Sequence, residues 1–340
     1  MMFIFAYIIL EILFYIYIKY KRRLLNTTYN AQYKYNSSAI YEVIDILKNM
    51  KSYNAQMFLQ ECFLGSNIKD IYDGNIKSFI SWACYGKPFS QQLTSIEYNT
   101  IYDLYNNFCE IFQISFKEGY NNDVKHIAMN LSNIKYVHHP LFLYAIFKFL
   151  HMLLNMMLRC MGFEKRYIND YSYVIREHKS SLYSPMIFLR DINPFYLAYL
   201  NFISYFKNHT IILFDIDLVI DPVRISSLDF NYFDISCVVD TIGTLVDIYS
   251  HNNKCHLIGH SFGTVVATWF IKQYPQKIRT ISLIDPVCIL LGLPDVAKNF
   301  FYRSPTTTFH KIIRFFASRE LPIANTLFRN FKWQEYMLFL

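Results

Sequence analysis

The stretch HLIGHSFGTVVATWF, residues 256–270, decides the fold. A β-rich apolar run, residues 254–258, leads into Gly259-His260-Ser261-Phe262-Gly263, and a helix-like run leads out toward Pro275. Such a passage puts a serine on a sharp turn between strand and helix, with its hydroxyl clear of the carboxyl edge of a sheet. Glycines two residues to either side remove Cβ atoms that would collide as strand and helix close up. The amide N–H of Phe262, at the helix start, can donate to a developing oxyanion. Ser261 is the candidate nucleophile, and Gly259 and Gly263 are the elbow glycines. A tight strand-to-helix turn holding an ordinary serine is the alternative reading of the same residues.

Working outward, short apolar runs at 171–175, 185–189, 211–214 and 280–284 join the one at 254–258. Helix-like stretches at 194–206, 234–250 and 263–274 lie between them. This alternation predicts a mostly parallel sheet with helices on both faces. Upstream, residues 37–135 read as mainly helical. Apolar residues recur at helical spacing over 38–54, and Thr94-Ser-Ile-Glu97 is a capping box opening 98–112. Residues 120–124 read as a loop. A strongly apolar helix is predicted at 141–161, with Lys148, His151, Asn155 and Arg159 on one face. A helix of this kind lies in a membrane interface, or is a core helix with one solvated edge.

Hydrophobic residues make up 53% of the 340, aromatics 19% and charged residues only 17%. So few charges predict membrane contact. Residues 1–20 are long enough to cross a bilayer, interrupted by Glu11. They lack the basic start and small-residue cleavage site of a secretory signal. Lys19, Lys21, Arg22 and Arg23 follow, so the positive-inside rule places the main domain in the cytosol, behind a single-pass anchor. Triplets of the form N-x-S/T start at Asn26, Asn36, Asn130 and Asn208. Glycosylation at any of them would overturn that orientation. The net charge of +7 is spread along the chain with no compact basic block beyond residue 23, which argues against nucleic acid. Seven cysteines without a C-x-x-C pair argue against a disulfide framework or a zinc site. Phosphate-loop and dinucleotide signatures are absent, and no metal or cofactor is expected.

The residues PMIFL (185–189), HLIGHSFGTVVATWFIKQYPQKIRTISLIDPVCILLGLPDV (256–296) and FFASRE (315–320) resemble the α/β-hydrolase superfamily, in particular its membrane-attached serine esterase- or lipase-like members. The resemblance runs from about residue 171 to the end. The helical first half, including FLQECFLG (58–65), is similar to the amino-terminal extension of such proteins. It implies an α/β-hydrolase sheet, a serine nucleophile with acid and histidine partners, no cofactor, and an acyl-enzyme mechanism on a membrane lipid or small acyl ester. The implied organisation is an anchor and basic flank at 1–23, a helical region at 24–165, and a hydrolase domain at 166–340 with a lid-like segment at about 290–340.

Two departures from the family pattern bear on activity. The loop after the third strand reads Leu189-Arg190-Asp191-Ile192-Asn193, so Asp191 stands where a glycine is usual. The main-chain N–H groups of Ile192 and Asn193 are the candidate second oxyanion donors. The order nucleophile, acid, base then leaves Asp285 as candidate acid, which as a strand-terminal residue can instead cap its turn with Pro286. His310, the one histidine after Ser261, is candidate base or an ordinary residue of an amphipathic lid. His256 and His260 flank the elbow too closely to reach round to the hydroxyl. The sheet is thus expected to be incomplete at its carboxyl end. Three explanations stay open: a truncated or split product, a partner chain supplying the missing elements, or a non-catalytic pseudo-hydrolase that binds a lipid or protein partner.

Overall fold

The computed structural model describes all residues except 1, 28–34, 51–53, 91, 170, 179–182, 193–195, 216–234 and 339–340. The chain folds as two compact units built from interleaved segments. One comprises Met1–Leu24, Lys135–Ile289 and Arg319–Thr326; the other comprises Leu25–Ile134, Leu290–Ser318 and Leu327–Leu340.

The first unit carries a six-stranded sheet among the described residues. In chain order its strands are β1 (Glu164–Ile168), β2 (Tyr171–Arg176), β3 (Met186–Leu189), β4 (Ile211–Phe214), β5 (Cys255–His260) and β6 (Ile278–Ile284). Their spatial order is β1-β2-β4-β3-β5-β6. β1 and β2 pair antiparallel, as do β2 and β4; from β4 through β3 and β5 to β6 every pairing is parallel. The five predicted runs all form strands, and the mostly parallel sheet with flanking helices is present. β3 and β4 are buried at every position. That explains why they read as unbroken apolar runs rather than alternating ones.

Helices cover both faces. Leu154 and Leu158 of α6 (Leu141–Cys160) and Ile203 of α7 (Leu200–Ser204) pack with Val174, Met186, Phe188, Ile211, Leu213 and Ile258. Successive strand residues point to opposite faces. Ile187, Leu189, Ile212 and Leu257, all fully buried, therefore face the other side. α8 (Ile235–Tyr249) and α9 (Gly263–Gln273) bury Val238, Val239, Ile242, Leu245, Val265, Val266 and Phe270.

The amino-terminal helix, α1 (Met2–Thr27), leaves nearly all of its apolar side chains exposed. Glu11 is the exception to its apolar pattern, and the structure gives it partners. Its Oε1 lies 3.0 Å from His138 Nε2, and its Oε2 accepts the Leu141 backbone N–H at 2.9 Å and the Tyr7 hydroxyl at 2.8 Å. The carboxylate thus caps the amino terminus of α6, where helix geometry leaves backbone donors unpaired.

The second unit is helical: α2 (Ser37–Asn49), α3 (Ala55–Cys62), α4 (Asp73–Tyr85) and α5 (Ser95–Phe112), joined by short helical turns from residues 290–318 and 327–336. α2 ends at Asn49, earlier than the predicted Asn54. Asn36 and Asn54 cap α2 and α3, and Thr94 with Glu97 forms the expected capping box of α5. Asn130 is 1% exposed, accepts the Trp82 indole N–H at 2.6 Å and donates to Gly86 O. Of the four glycosylation triplets, this one is buried in a core.

Candidate active site at the strand-to-helix elbow

β5 runs through Gly259 and His260 and stops at Ser261, which takes φ +49°. A non-glycine residue in that region is sterically costly, so surrounding contacts must impose it. Three hydrogen bonds do so. Ser261 N–H donates to Ile284 O at 3.0 Å, tying the elbow to the end of β6. Thr264, fully buried, donates its hydroxyl to Ser261 O at 2.6 Å and accepts the Val287 N–H at 3.2 Å. Thr264 N–H also donates to Ser261 O, at 2.9 Å.

The glycines are required by contact. A Cβ on Gly263 would sit 2.1 Å from Leu189 O and 2.7 Å from Arg190 O. A Cβ on Gly259 would meet Gly263 O at 3.0 Å. The first turn of α9 therefore lies directly on the backbone at the carboxyl end of β3. Phe262 is buried at that turn, ahead of the helix. Ile192 is half-buried in the following loop, and Asn193 lies outside the described residues.

Parallel pairing of β3, β5 and β6 brings the residues just past their carboxyl ends into one cluster. His260 Nε2 is 3.4 Å from Asp285 Oδ2; its Nδ1 is 2.7 Å from the Tyr199 hydroxyl and 4.0 Å from Asp191 Oδ2. Burial, with the Asp191 carboxylate second, pushes the Tyr199 phenol above its ordinary range and keeps it protonated. Asp191 N–H donates to the Tyr199 oxygen at 3.4 Å, which orients the phenol.

Asp285 has φ +44° and a side chain 86% exposed. The structure brings Ser261, Phe262, Gly259, Gly263 and Asp285 together at one sheet edge. His310 belongs to the other unit, on the short helix Thr308–Ile313, with its Nδ1 3.2 Å from Thr306 Oγ1. Among the described residues, no histidine ring nitrogen hydrogen-bonds Ser261 Oγ. Sequence reasoning set His260 aside and did not single out Tyr199. The signal for the cluster was available: Asp191, His260 and Asp285 each follow an apolar run that a parallel sheet must align.

The fold is a mostly parallel six-stranded sheet with helices on both faces. Solved structures similar to it include a membrane phospholipase A described as a bacterial virulence factor. That likeness is at 12% identity over 57% of this chain and 72% of that one, with a TM-score of 0.33. A serine hydrolase from Cycloclasticus zankles is similar at 13% identity over 52% and 74%, TM-score 0.33. An α/β hydrolase from a Medee basin deep-sea metagenome library is similar at 15% identity over 35% of this chain, TM-score 0.28. The present chain spans 43% of the length of that last enzyme. No family model matches the sequence, and no curated protein matches it. Among the described residues there is no cluster of His, Cys, Asp and Glu suited to a metal ion.

Proposed function

We propose that this chain is a membrane-anchored serine hydrolase of the esterase or lipase type. The observation that carries the reading is Ser261 at φ +49° between β5 and α9, its backbone fixed by β6 and Thr264. A serine held in that strained turn presents its hydroxyl at the sheet edge rather than packing it. Ser261 Oγ attacks the acyl carbonyl carbon, the alcohol leaves, and water then releases the acid from the acyl-enzyme. The Phe262 N–H, with a main-chain donor near Ile192 or Asn193, holds the oxyanion. Asp285 is the proposed acid and His310 the proposed base. Nδ1 and Nε2 of His260 instead face Tyr199 and Asp285, so His260 acts as a positioning residue for Asp285.

The anchoring rests on α1, whose mid-helix charge, Glu11, is already hydrogen-bonded and so costs less in an apolar medium. The basic residues 19–23 then lie at the cytosolic face. A second reading, a pseudo-hydrolase that binds a lipid or a protein partner without turnover, is favoured by the absence, among the described residues, of a histidine bonded to Ser261 Oγ. A fluorophosphonate probe separates the two. Labelling of the wild type that disappears in Ser261→Ala supports the hydrolase. Equal labelling of both removes Ser261 as nucleophile. Short-chain ester turnover compared between His310→Ala and the wild type then tests the base.

A further inference from the structure

The two outer strands of the sheet differ in how they meet solvent. β1 reads Glu164-Lys-Arg-Tyr-Ile168, and charges along an edge strand keep other chains from pairing with it. β6 reads Ile278-Arg-Thr-Ile-Ser-Leu-Ile284, and its only charge is Arg279. Among the described residues no strand pairs with its outer side. Arg279, Thr280 and Ser282 are exposed, and so are the apolar Ile281, at 42%, and Ile284, at 39%. The polar backbone of Ile284 turns inward, since its carbonyl accepts the Ser261 N–H. Alternation along the strand then turns the N–H and C=O groups of Ile281 and Leu283 outward, where they present an open ladder. Arg279 has no counterpart in β5, because the pairing of β5 with β6 shifts register there.

This strand is complementary to itself. Antiparallel pairing centred on Ser282 sets Ile281 opposite Leu283 of a second copy, Thr280 opposite Ile284, and Arg279 opposite Asp285. Each pairing occurs twice, because a two-fold axis exchanges the copies. Opposite charges across a ladder stabilise a sheet, and so do apolar side chains packed across it. Centring on Ile281 instead sets Arg279 opposite Leu283, which leaves the guanidinium without a carboxylate. The Asp285 side chain is 86% exposed and therefore accessible to a second copy. We infer that β6 is a dimer interface, at which two copies of this chain join edge to edge into one continuous sheet. The axis of such a pair runs perpendicular to the sheet. Both copies of α6, which packs on one face of it, then lie on the same side. Their exposed apolar side chains meet one bilayer, as the proposed anchoring requires.

Association is read without turnover, so its outcome is separate from the fate of Ser261. The full chain in detergent micelles is sedimented over a concentration series. The expected result is a reversible dimer, weakened at least tenfold in Arg279→Glu and restored in Arg279→Glu with Asp285→Lys, circular dichroism staying native in each. Register is tested with cysteines, in a Cys160→Ser, Cys237→Ser background that removes two exposed thiols. Residues opposite each other between the ladder hydrogen bonds have Cα atoms ~4.5 Å apart, within the span of a disulfide. Ser282→Cys, on the axis, is therefore expected to form a covalent dimer under copper–phenanthroline oxidation. Thr280→Cys, whose counterpart lies further along the ladder, is expected to stay uncross-linked. Where Arg279→Glu does not fold, the two cysteine variants decide. A monomeric wild type, an undiminished dimer in folded Arg279→Glu, or equal cross-linking of Ser282→Cys and Thr280→Cys overturns the inference.

Discussion

Gly263 is the residue on which the elbow turns. Its missing Cβ would lie 2.1 Å from a backbone oxygen of β3, and backbone cannot swing aside as a long side chain can. Gly263→Ala is expected to cost on the order of 3 kcal/mol by overpacking. Chemical denaturation of the full chain should show this, together with loss of fluorophosphonate labelling. Gly259→Ala, whose nearest contact is 3.0 Å, should cost less. A Gly263→Ala chain with wild-type stability and labelling would show that the approach of α9 to β3 is looser than described. This part of the site was legible in the sequence because steric exclusion leaves one residue type at such a position. The partner of Asp285 was not. His260 lies one residue from the nucleophile, and adjacency along the chain says nothing about direction in space. Only the alignment of three strand ends shows that its ring turns to Asp285 and Tyr199.

At the scale of elements, β3 and β4 were legible because burial on both faces makes them unbroken apolar runs. β1 was not, since its sequence is Glu164-Lys-Arg-Tyr-Ile168. It is an edge strand, largely exposed, held by its pairing to β2, so the hydrophobic pattern that marks a strand is absent. The short helix Leu321–Asn325 carries a different signature. Its cap, Glu320, is 1% exposed, accepts the Ile323 N–H at 3.1 Å and the Tyr144 hydroxyl at 3.3 Å, and has no cation bonded to it among these contacts. Burial raises its carboxyl to about 8 from an ordinary 4.5. The folded state therefore holds a proton that the unfolded state releases above pH ~4.5. The stabilisation is complete below that pH and is lost as pH rises toward about 8. Denaturation midpoints should fall across this window, and Glu320→Gln, which stays neutral, should flatten the slope. An unchanged slope in Glu320→Gln would assign the pH dependence to another group.

At the scale of the whole molecule, a pass along the chain finds the sheet and the helices but not which distant segments share a core. Residues 290–318 and 327–340 join the helical unit, while 319–326 join the sheet unit, because long-range packing decides membership. Apolar excess, by contrast, was legible from composition, and the structure locates it. Within the sheet unit, α1 and α6 both leave large hydrophobic side chains in the open, among them Phe5, Leu13, Phe149, Met152 and Met156. Both helices are long and apolar enough to cross a bilayer. Single exposed side chains are common, but two continuous faces mark an interaction surface. On the proposed anchoring, burying one Phe or Met in lipid contributes ~1.5–3 kcal/mol, about tenfold or more in partitioning. The full chain should therefore co-sediment with lipid vesicles and stay bound in high salt, since apolar area rather than charge holds it. Phe149→Glu with Met156→Glu should weaken binding at least tenfold in a chain lacking residues 1–20, and less in the full chain, where α1 holds independently. If the double substitution has no effect in the shortened chain, α6 lies clear of the membrane. If the full chain stays in the supernatant, both faces need a protein to cover them.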